Sequence, residues 1–71
     1  MGNKNTITKI KLARKSRGWS LQDLGFFARV GASDIQRIET GRMVPYPSQA
    51  EKLARALNLR PEELQEEIPA E

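Results

Sequence analysis

The sequence predicts an all-α protein, a compact bundle of about five short helices in a single domain over residues 1–71. Apolar residues recur at helical spacing in five short segments, and no segment alternates polar and apolar residues over a useful length. A chain of 71 residues has room for one domain. Four breaks separate the segments, at Gly18, at 29–31, at 41–47 and at 58–61.

The first helix is predicted from residue 6 or 7 to Arg17 and is expected to end in a glycine cap at Gly18. Ile10 and Ala13 lie on its apolar side, and lysines dominate its outer side. Residues 1–5, before this helix, are expected to be frayed.

The second and third helices flank a short turn. Ser20 followed by Asp23 is a variant of the capping box, so a helix is predicted over Leu21–Ala28. The third helix is predicted to begin after Gly31 and to end near Thr40, where a second glycine follows.

The fourth helix is predicted to end at Leu57, and its apolar residues form a clear stripe. Its start has two interpretations: Ser48 as a cap with a glutamate three residues on, or Pro47 as the first helical residue. A short fifth helix is predicted over Pro61–Glu67, and the acidic tail over 68–71 is expected to be frayed.

The charge is distributed unevenly along the chain. Residues 1–42 contain nine Lys and Arg against three acidic residues, a net charge of +6. Residues 43–71 contain three basic residues against six Glu, a net charge of −3. The basic part favours a polyanionic partner, although a solvated basic face would have the same composition.

Cys and His are both absent. Their absence excludes disulfides and thiolate or imidazole metal sites, and it removes the commonest pairs of nucleophile and base. We therefore expect no cofactor and no enzymatic activity. No run approaches the roughly 18 apolar residues of a membrane span, so a cytoplasmic protein without a membrane partner is expected.

The segment from the second to the third helix has the pattern of a DNA-binding helix-turn-helix, two short helices joined by a tight turn. Gly25 gives the third helix room to approach the second, since a glycine has no side chain in the way. The other interior positions are apolar and suit the same role: Leu24, Ala28, Val30, Ile35 and Ile38.

Longer strings extend this pattern on both sides: LAR at 12–14, GWS at 18–20, DL at 23–24, IQRIETG at 35–41, Pro45, and ARAL at 54–57. Through these strings the chain resembles the Cro and phage-repressor type of helix-turn-helix protein, the Xre-like family of transcriptional regulators. The resemblance covers residues 7–65. It implies a lambda-repressor-like fold whose second and third helices form the DNA-binding unit.

The resemblance implies that the third helix reads bases in the major groove through Ala32, Ser33, Gln36 and Arg37. Their chemistry is suitable. Arg37 has the fork that fits guanine O6 and N7, and Gln36 can pair with adenine or bind a phosphate. Ser33 can donate or accept, and Ala32 can contact a thymine methyl group. Each polar residue also has a plainer interpretation, as a solvated or locally bonded side chain.

Similar proteins contact phosphate through the start of the second helix and the loop after the third. The corresponding residues here are Leu21, Gln22, Thr40 and Arg42. Leu21 replaces the usual early glutamine, so Gln22 is a substitute donor, while Thr40 has the alternative role of capping the helix end. Backbone amides at a helix start bind anions whatever the side chain.

The resemblance also implies that Arg14 and Glu39 form a structural ion pair that orients the third helix, and two features depart from the family pattern. Arg29 stands where the turn usually has a glycine in the left-handed conformation. Phe26 and Phe27 stand where charged residues are common, which makes them candidate contacts for a protein partner.

The leading hypothesis is a sequence-specific double-stranded DNA-binding transcriptional regulator of bacterial, phage or archaeal origin. We expect a repressor that binds a two-fold operator as a homodimer. The alternative is an antitoxin-like or other partner-binding module with autoregulatory DNA binding.

Overall fold

The computed structural model describes residues 6–70, so the expected fraying of 1–5 lies outside the described residues. Four α-helices form the body of the protein. The elements in chain order are β1 (Thr6–Thr8), α1 (Lys9–Ser16), α2 (Leu21–Ala28), α3 (Ala32–Glu39), α4 (Pro47–Leu57), a 3₁₀ helix (Pro61–Glu63) and β2 (Glu67–Pro69). No helix within 6–70 is long and apolar enough to cross a bilayer.

The purely α-helical prediction is wrong at both ends of the described chain. The strands β1 and β2 pair in an antiparallel two-stranded sheet, with Ile7 opposite Ile68. The first helix therefore begins at Lys9, later than predicted, and the fifth helix is reduced to the single 3₁₀ turn. Part of the tail expected to fray is strand, because Ile68 and Pro69 complete the sheet. Three-residue strands are too short to show an alternating pattern.

The start of α2 confirms the predicted capping box. The Asp23 N–H donates to Ser20 Oγ at 3.0 Å, and the Ser20 N–H donates to Asp23 Oδ2 at 2.9 Å. Of the two interpretations of the fourth helix, Pro47 at the first helical position is the observed one. The Tyr46 N–H donates to Gln49 Oε1 at 3.0 Å, which satisfies an amide at this helix start.

The core lies between α2, α3 and α4, and α1 and the 3₁₀ turn close it. Each helix contributes the apolar side of its sequence to this core. The buried apolar side chains are Ile10, Leu24, Ala28, Val30, Ile35, Ile38, Leu53, Ala54, Leu57 and Leu64. All five apolar positions predicted for the interior of the helix-turn-helix are among them.

The turn between α2 and α3 explains two of the sequence features. Arg29 itself adopts the left-handed conformation, with φ 62° and ψ 44°, while Gly31 has an ordinary φ of −60°. The turn is therefore not shifted onto Gly31, and Arg29 bears a strain of about 1 kcal/mol. A Cβ atom at Gly25 would lie 2.8 Å from the Val30 carbonyl oxygen, so the close approach expected there is present.

We predict that Gly25→Ala lowers the free energy of unfolding by about 1 to 3 kcal/mol, because the added methyl group meets a backbone carbonyl that cannot easily shift. This loss exceeds the gain in helix propensity of about 1 kcal/mol. Urea unfolding followed by circular dichroism measures it. Gly31→Ser is the control, since nothing lies within 4 Å of a Cβ there. Equal stability of the two variants would contradict the tight crossing.

An ionic cluster joins α1 to the C-terminal segment. Lys9 Nζ lies 3.0 Å from Glu63 Oε1 and 3.0 Å from Glu66 Oε1. The Lys9 pKa is raised above its ordinary 10.5, mainly by the hydrogen bond with Glu66 and then by that with Glu63. The Glu63 pKa is lowered below its ordinary 4.5, first by the backbone N–H of Arg60 and then by Lys9.

These shifts predict a pH dependence. Glu63 binds its proton less tightly in the folded state, so its contribution to stability is present above pH 4.5 and is lost as the pH falls through the lowered pKa. We expect Glu63→Gln to flatten the decline of Tm on the acid side. Glu62→Gln is the matched control, because Glu62 contacts only exposed Arg60 among the described ion pairs. If Tm falls equally with decreasing pH in Glu63→Gln and in the parent protein, Glu63 is not a source of the pH dependence.

Candidate nucleic-acid interface

The third helix presents two different faces. Ile35 and Ile38 are fully buried against the core, whereas Ser33, Gln36 and Arg37 are exposed. The two apolar residues are three positions apart and therefore share one side of the helix. The polar residues that the resemblance assigns to base reading consequently project away from the core.

A buried ion pair holds the far end of α3. Arg14 Nε donates to Glu39 Oε2 at 2.7 Å, and Arg14 Nη2 donates to Glu39 Oε1 at 3.0 Å. The Arg14 side chain is 10% exposed and that of Glu39 4%. Arg14 Nη1 also donates to the Trp19 carbonyl oxygen at 2.8 Å. Arg14 thus ties α1, the turn after it and α3 together, in the pair that the resemblance implies.

Two further side chains fix the same end of α3. The Thr8 hydroxyl donates to the Glu39 carbonyl oxygen at 3.3 Å. Gln65 Nε2 donates to the carbonyl oxygens of Ile38, at 3.1 Å, and Met43, at 2.7 Å. The Thr8 bond satisfies a carbonyl group that the helix end leaves without an intrahelical partner. The Gln65 bonds join the C-terminal segment to the end of α3 and to the loop after it. Sequence reasoning missed Gln65, because it was placed in a predicted fifth helix and its partners lie more than twenty residues away.

Four of the predicted contact residues border one polar concavity of about 330 Å³: Gln36, Arg37, Thr40 and Arg42. The chain turns sharply at Gly41, whose φ is 79°, and the Arg42 N–H donates to the Arg37 carbonyl oxygen at 2.8 Å. This turn brings Arg42 beside the exposed face of α3. Base-reading and phosphate candidates therefore share one surface.

Arg37 is held by a neighbour on its own helix. Its Nη1 donates to Asp34 Oδ1 at 3.1 Å, and the side chain remains 57% exposed. The other carboxylate oxygen of Asp34 accepts from Gln49 Nε2, on α4, at 3.0 Å. Asp34 thus connects the candidate guanine reader to α4. The sequence suggested a role for Asp34 at the helix start but did not indicate Gln49.

Thr40 is bonded locally. Its hydroxyl lies 3.0 Å from the Gln36 carbonyl oxygen and 3.3 Å from that of Arg37, and it donates at the helix end. The capping interpretation therefore describes Thr40 as it stands in the structure. A phosphate contact through its hydroxyl proton would require that proton to leave the helix carbonyls.

The remaining predicted contacts occupy the starts of the two helices. Ala32 is the first residue of α3 and is half-buried. Gln22 is exposed in the first turn of α2, while Leu21 packs partly against the core. Because the Leu21 side chain has an apolar role and no hydrogen-bonding group, only its backbone amide is suited to a phosphate.

The predicted partner residues form a separate surface. Phe26 is 77% exposed and Phe27 55% exposed. The Phe27 ring stacks on Trp19 with centroids 4.5 Å apart, and the Phe26 ring meets Phe27 edge-on at 5.2 Å. Neither phenylalanine belongs to the core, so both are exposed apolar side chains.

The architecture defines the class of protein. Helices α2 and α3 are joined by residues 29–31 and cross closely at Gly25, the arrangement of a DNA-binding helix-turn-helix domain. A family model described as a helix-turn-helix domain matches residues 8–67. The chain therefore belongs to the helix-turn-helix domain family. A search of curated proteins finds no match to it.

We predict that Glu39→Leu lowers the free energy of unfolding by about 3 kcal/mol or more, because it leaves the Arg14 guanidinium buried without its counter-charge. The double variant Arg14→Leu/Glu39→Leu is expected to recover about 1 kcal/mol or more of that loss. Urea titration of the two single variants and the double variant gives the coupling energy.

Glu62→Gln is the matched control for this cycle, because Glu62 and Arg60 are 68% and 76% exposed. An exposed pair of this kind contributes at most about 1 kcal/mol. Additive losses in the Arg14 and Glu39 variants would mean that the two side chains stabilise the fold independently.

Proposed function

We propose that the protein is a sequence-specific double-stranded DNA-binding transcriptional regulator of the Cro and Xre type, and that it acts as a repressor. In this proposal α3 enters the major groove and reads bases through Ala32, Ser33, Gln36 and Arg37. The single observation that carries this proposal is one concavity lined by Gln36, Arg37 and Arg42. Gln36 and Arg37 lie on the exposed face of α3, and the opposite face of that helix is buried.

Arg37 is the strongest candidate for base discrimination. Its guanidinium can make two parallel hydrogen bonds to guanine O6 and N7. The contact with Asp34 Oδ1 uses Nη1, which leaves donors on the rest of the fork for a base. The Asp34 carboxylate also reduces the number of conformations open to Arg37, which lowers the entropy lost on binding.

Phosphate contacts complete the proposed interface. Arg42, at the rim of the concavity, supplies a charge for the DNA backbone, and Gln22 and the first amides of α2 supply a second contact. We assign Thr40 to the phosphate contacts as well. In that contact its hydroxyl donates to a phosphate oxygen in place of the helix carbonyl oxygens. Such contacts position the protein but do not read sequence.

The length of α3 supports a dimer on DNA. Eight residues span about 12 Å at 1.5 Å per residue, which covers only three to four base pairs at about 3.4 Å each. One such half-site is too short to be selective in a genome. We therefore propose a homodimer on a two-fold operator, with half-site centres separated by about one helical turn of DNA.

Selection of binding sites from random duplexes with the full chain tests this proposal. We expect an enriched two-fold sequence whose affinity falls steeply as the salt concentration rises, because phosphate binding releases counterions. An unselected sequence pool, or affinity insensitive to salt, would refute sequence-specific DNA binding. Footprint length and analytical ultracentrifugation of the complex report the number of subunits.

Two substitutions separate the proposed roles. Arg37→Ala should weaken binding to the selected operator by about 1 to 3 kcal/mol and relax the preference at one base position. Arg42→Ala should weaken all sequences alike and reduce the magnitude of the salt slope by about one. Fluorescence anisotropy on the operator and on its single-base variants distinguishes the two results. Equal losses on every operator for Arg37→Ala would place Arg37 among the phosphate contacts.

This function requires no cofactor and no catalytic step, and it places the protein in the cytoplasm of a bacterial, archaeal or phage-infected cell.

A second candidate function is supported by one observation. Phe26 and Phe27 are exposed on α2, which favours an antitoxin-like or other partner-binding module that also regulates its own expression. The two candidates rest on different residues, Phe26 and Phe27 for the partner and the α3 residues for base reading.

A further inference from the structure

The exposed phenylalanines belong to a larger surface with a distinctive composition. A groove of about 240 Å³ between α2 and α4 is lined by Phe27, Ala28, Arg29, Lys52, Arg55 and Ala56. The groove adjoins a second concavity bordered by Phe26, Phe27 and Arg29. We call these two concavities together the aromatic-basic groove. Its residues are aromatic, small or cationic, and none of them is acidic.

A further cation stands beside the same aromatic cluster. The Arg17 guanidinium carbon lies 5.6 Å from the centroid of the Trp19 ring, and Trp19 is stacked on Phe27. A cation at that distance from an aromatic ring is attracted to its face. Arg17 and the three cations of the groove, Arg29, Lys52 and Arg55, place positive charge around the exposed rings.

From this composition we propose that the aromatic-basic groove binds an acidic segment of another protein, one that combines Asp or Glu with apolar side chains. The apolar residues of the segment would cover Phe26 and Phe27, and its carboxylates would meet Arg29, Lys52 and Arg55. Aromatic residues and arginines are the side chains that contribute most at protein interfaces. The inference deepens the second candidate function and rests on it.

A second copy of this chain fits the groove poorly. A two-fold contact through the groove would place the same surface on both sides, so that cations would face cations. The chain's own acidic segment is already engaged, since Glu63 and Glu66 contact Lys9 and β2 is paired with β1. A partner with the opposite charge is the occupant that the groove complements.

Duplex DNA shares the negative charge but not the rest of the chemistry. Phenyl rings make no hydrogen bonds to phosphate, and burying Phe26 requires an apolar counterpart. The groove lies between α2 and α4, whereas the concavity proposed to bind DNA lies on α3 and the loop after it. The two concavities share no lining residue.

Phage display of random 12-residue peptides against the immobilised full chain tests the inference. We expect enriched peptides that combine at least two acidic with two apolar residues, whose affinity falls as salt screens the charges. The variant Phe26→Ser/Arg55→Glu should bind these peptides at least tenfold more weakly. Both side chains are exposed, and circular dichroism verifies that the variant folds. Lys15→Glu is the charge-matched control and should bind them like the parent protein, because Lys15 is exposed on α1 and lines neither concavity.

Three results would overturn the inference, and they have different meanings. Enrichment of basic or purely apolar peptides would keep a partner site but exclude an acidic segment. No enrichment would exclude a linear acidic segment as the occupant of the groove, whereas the second candidate function would still allow a folded partner. Displacement of the peptides by a random 20-base-pair duplex would assign the groove to DNA. None of these results affects the operator selection that tests DNA binding.

Discussion

The buried contact between Arg14 and Glu39 is the interaction on which the rest of the structure depends. One guanidinium group joins α1, the carbonyl of Trp19 and the last residue of α3. A charge pair in a core is not a strong source of stability, because desolvation offsets most of the attraction. Its effect here is geometric, since both carboxylate oxygens of Glu39 accept from Arg14 and the two parallel bonds restrict the placement of α3. The placement of α3 determines the direction in which its exposed face points.

Side chains from separate segments of the chain bond to the C-terminal end of α3. These bonds fix the helix at the point where the loop to Arg42 begins. Thr8 from β1 and Gln65 from the C-terminal segment both donate to carbonyl groups at that end. The small sheet and the ionic cluster around Lys9 keep these two donors in place. The terminal segments, which look peripheral in the sequence, thereby support the candidate interface.

The charge asymmetry has a different meaning in three dimensions. Two glutamates of the acidic C-terminal part are engaged within the molecule, because Glu63 and Glu66 contact Lys9. Lys52 and Arg55 belong to that acidic part of the sequence, yet they join Arg29 in the aromatic-basic groove. Sums of charge over halves of the chain therefore do not describe surfaces. Among the described residues, arginines and lysines line a polar concavity at α3 and an aromatic groove between α2 and α4.

The sequence by itself determined the features that depend on neighbouring residues. Helical spacing located the four α-helices, the capping box located the start of α2, and Gly25 indicated the tight crossing. The resemblance to Cro and Xre-type proteins supplied the pairing of Arg14 with Glu39. The assignment of the exposed α3 residues to base reading stays a prediction.

Only the tertiary structure decided the contacts between distant residues. The pairing of Ile7 with Ile68, the bonds of Gln65 and the bond from Gln49 to Asp34 all join separate segments. The stacking of Trp19 on Phe27 likewise depends on the angle between α2 and the turn before it. The physical reason is that caps and helical spacing are determined over a few residues, whereas these contacts exist only after the core has fixed the relative positions of the helices.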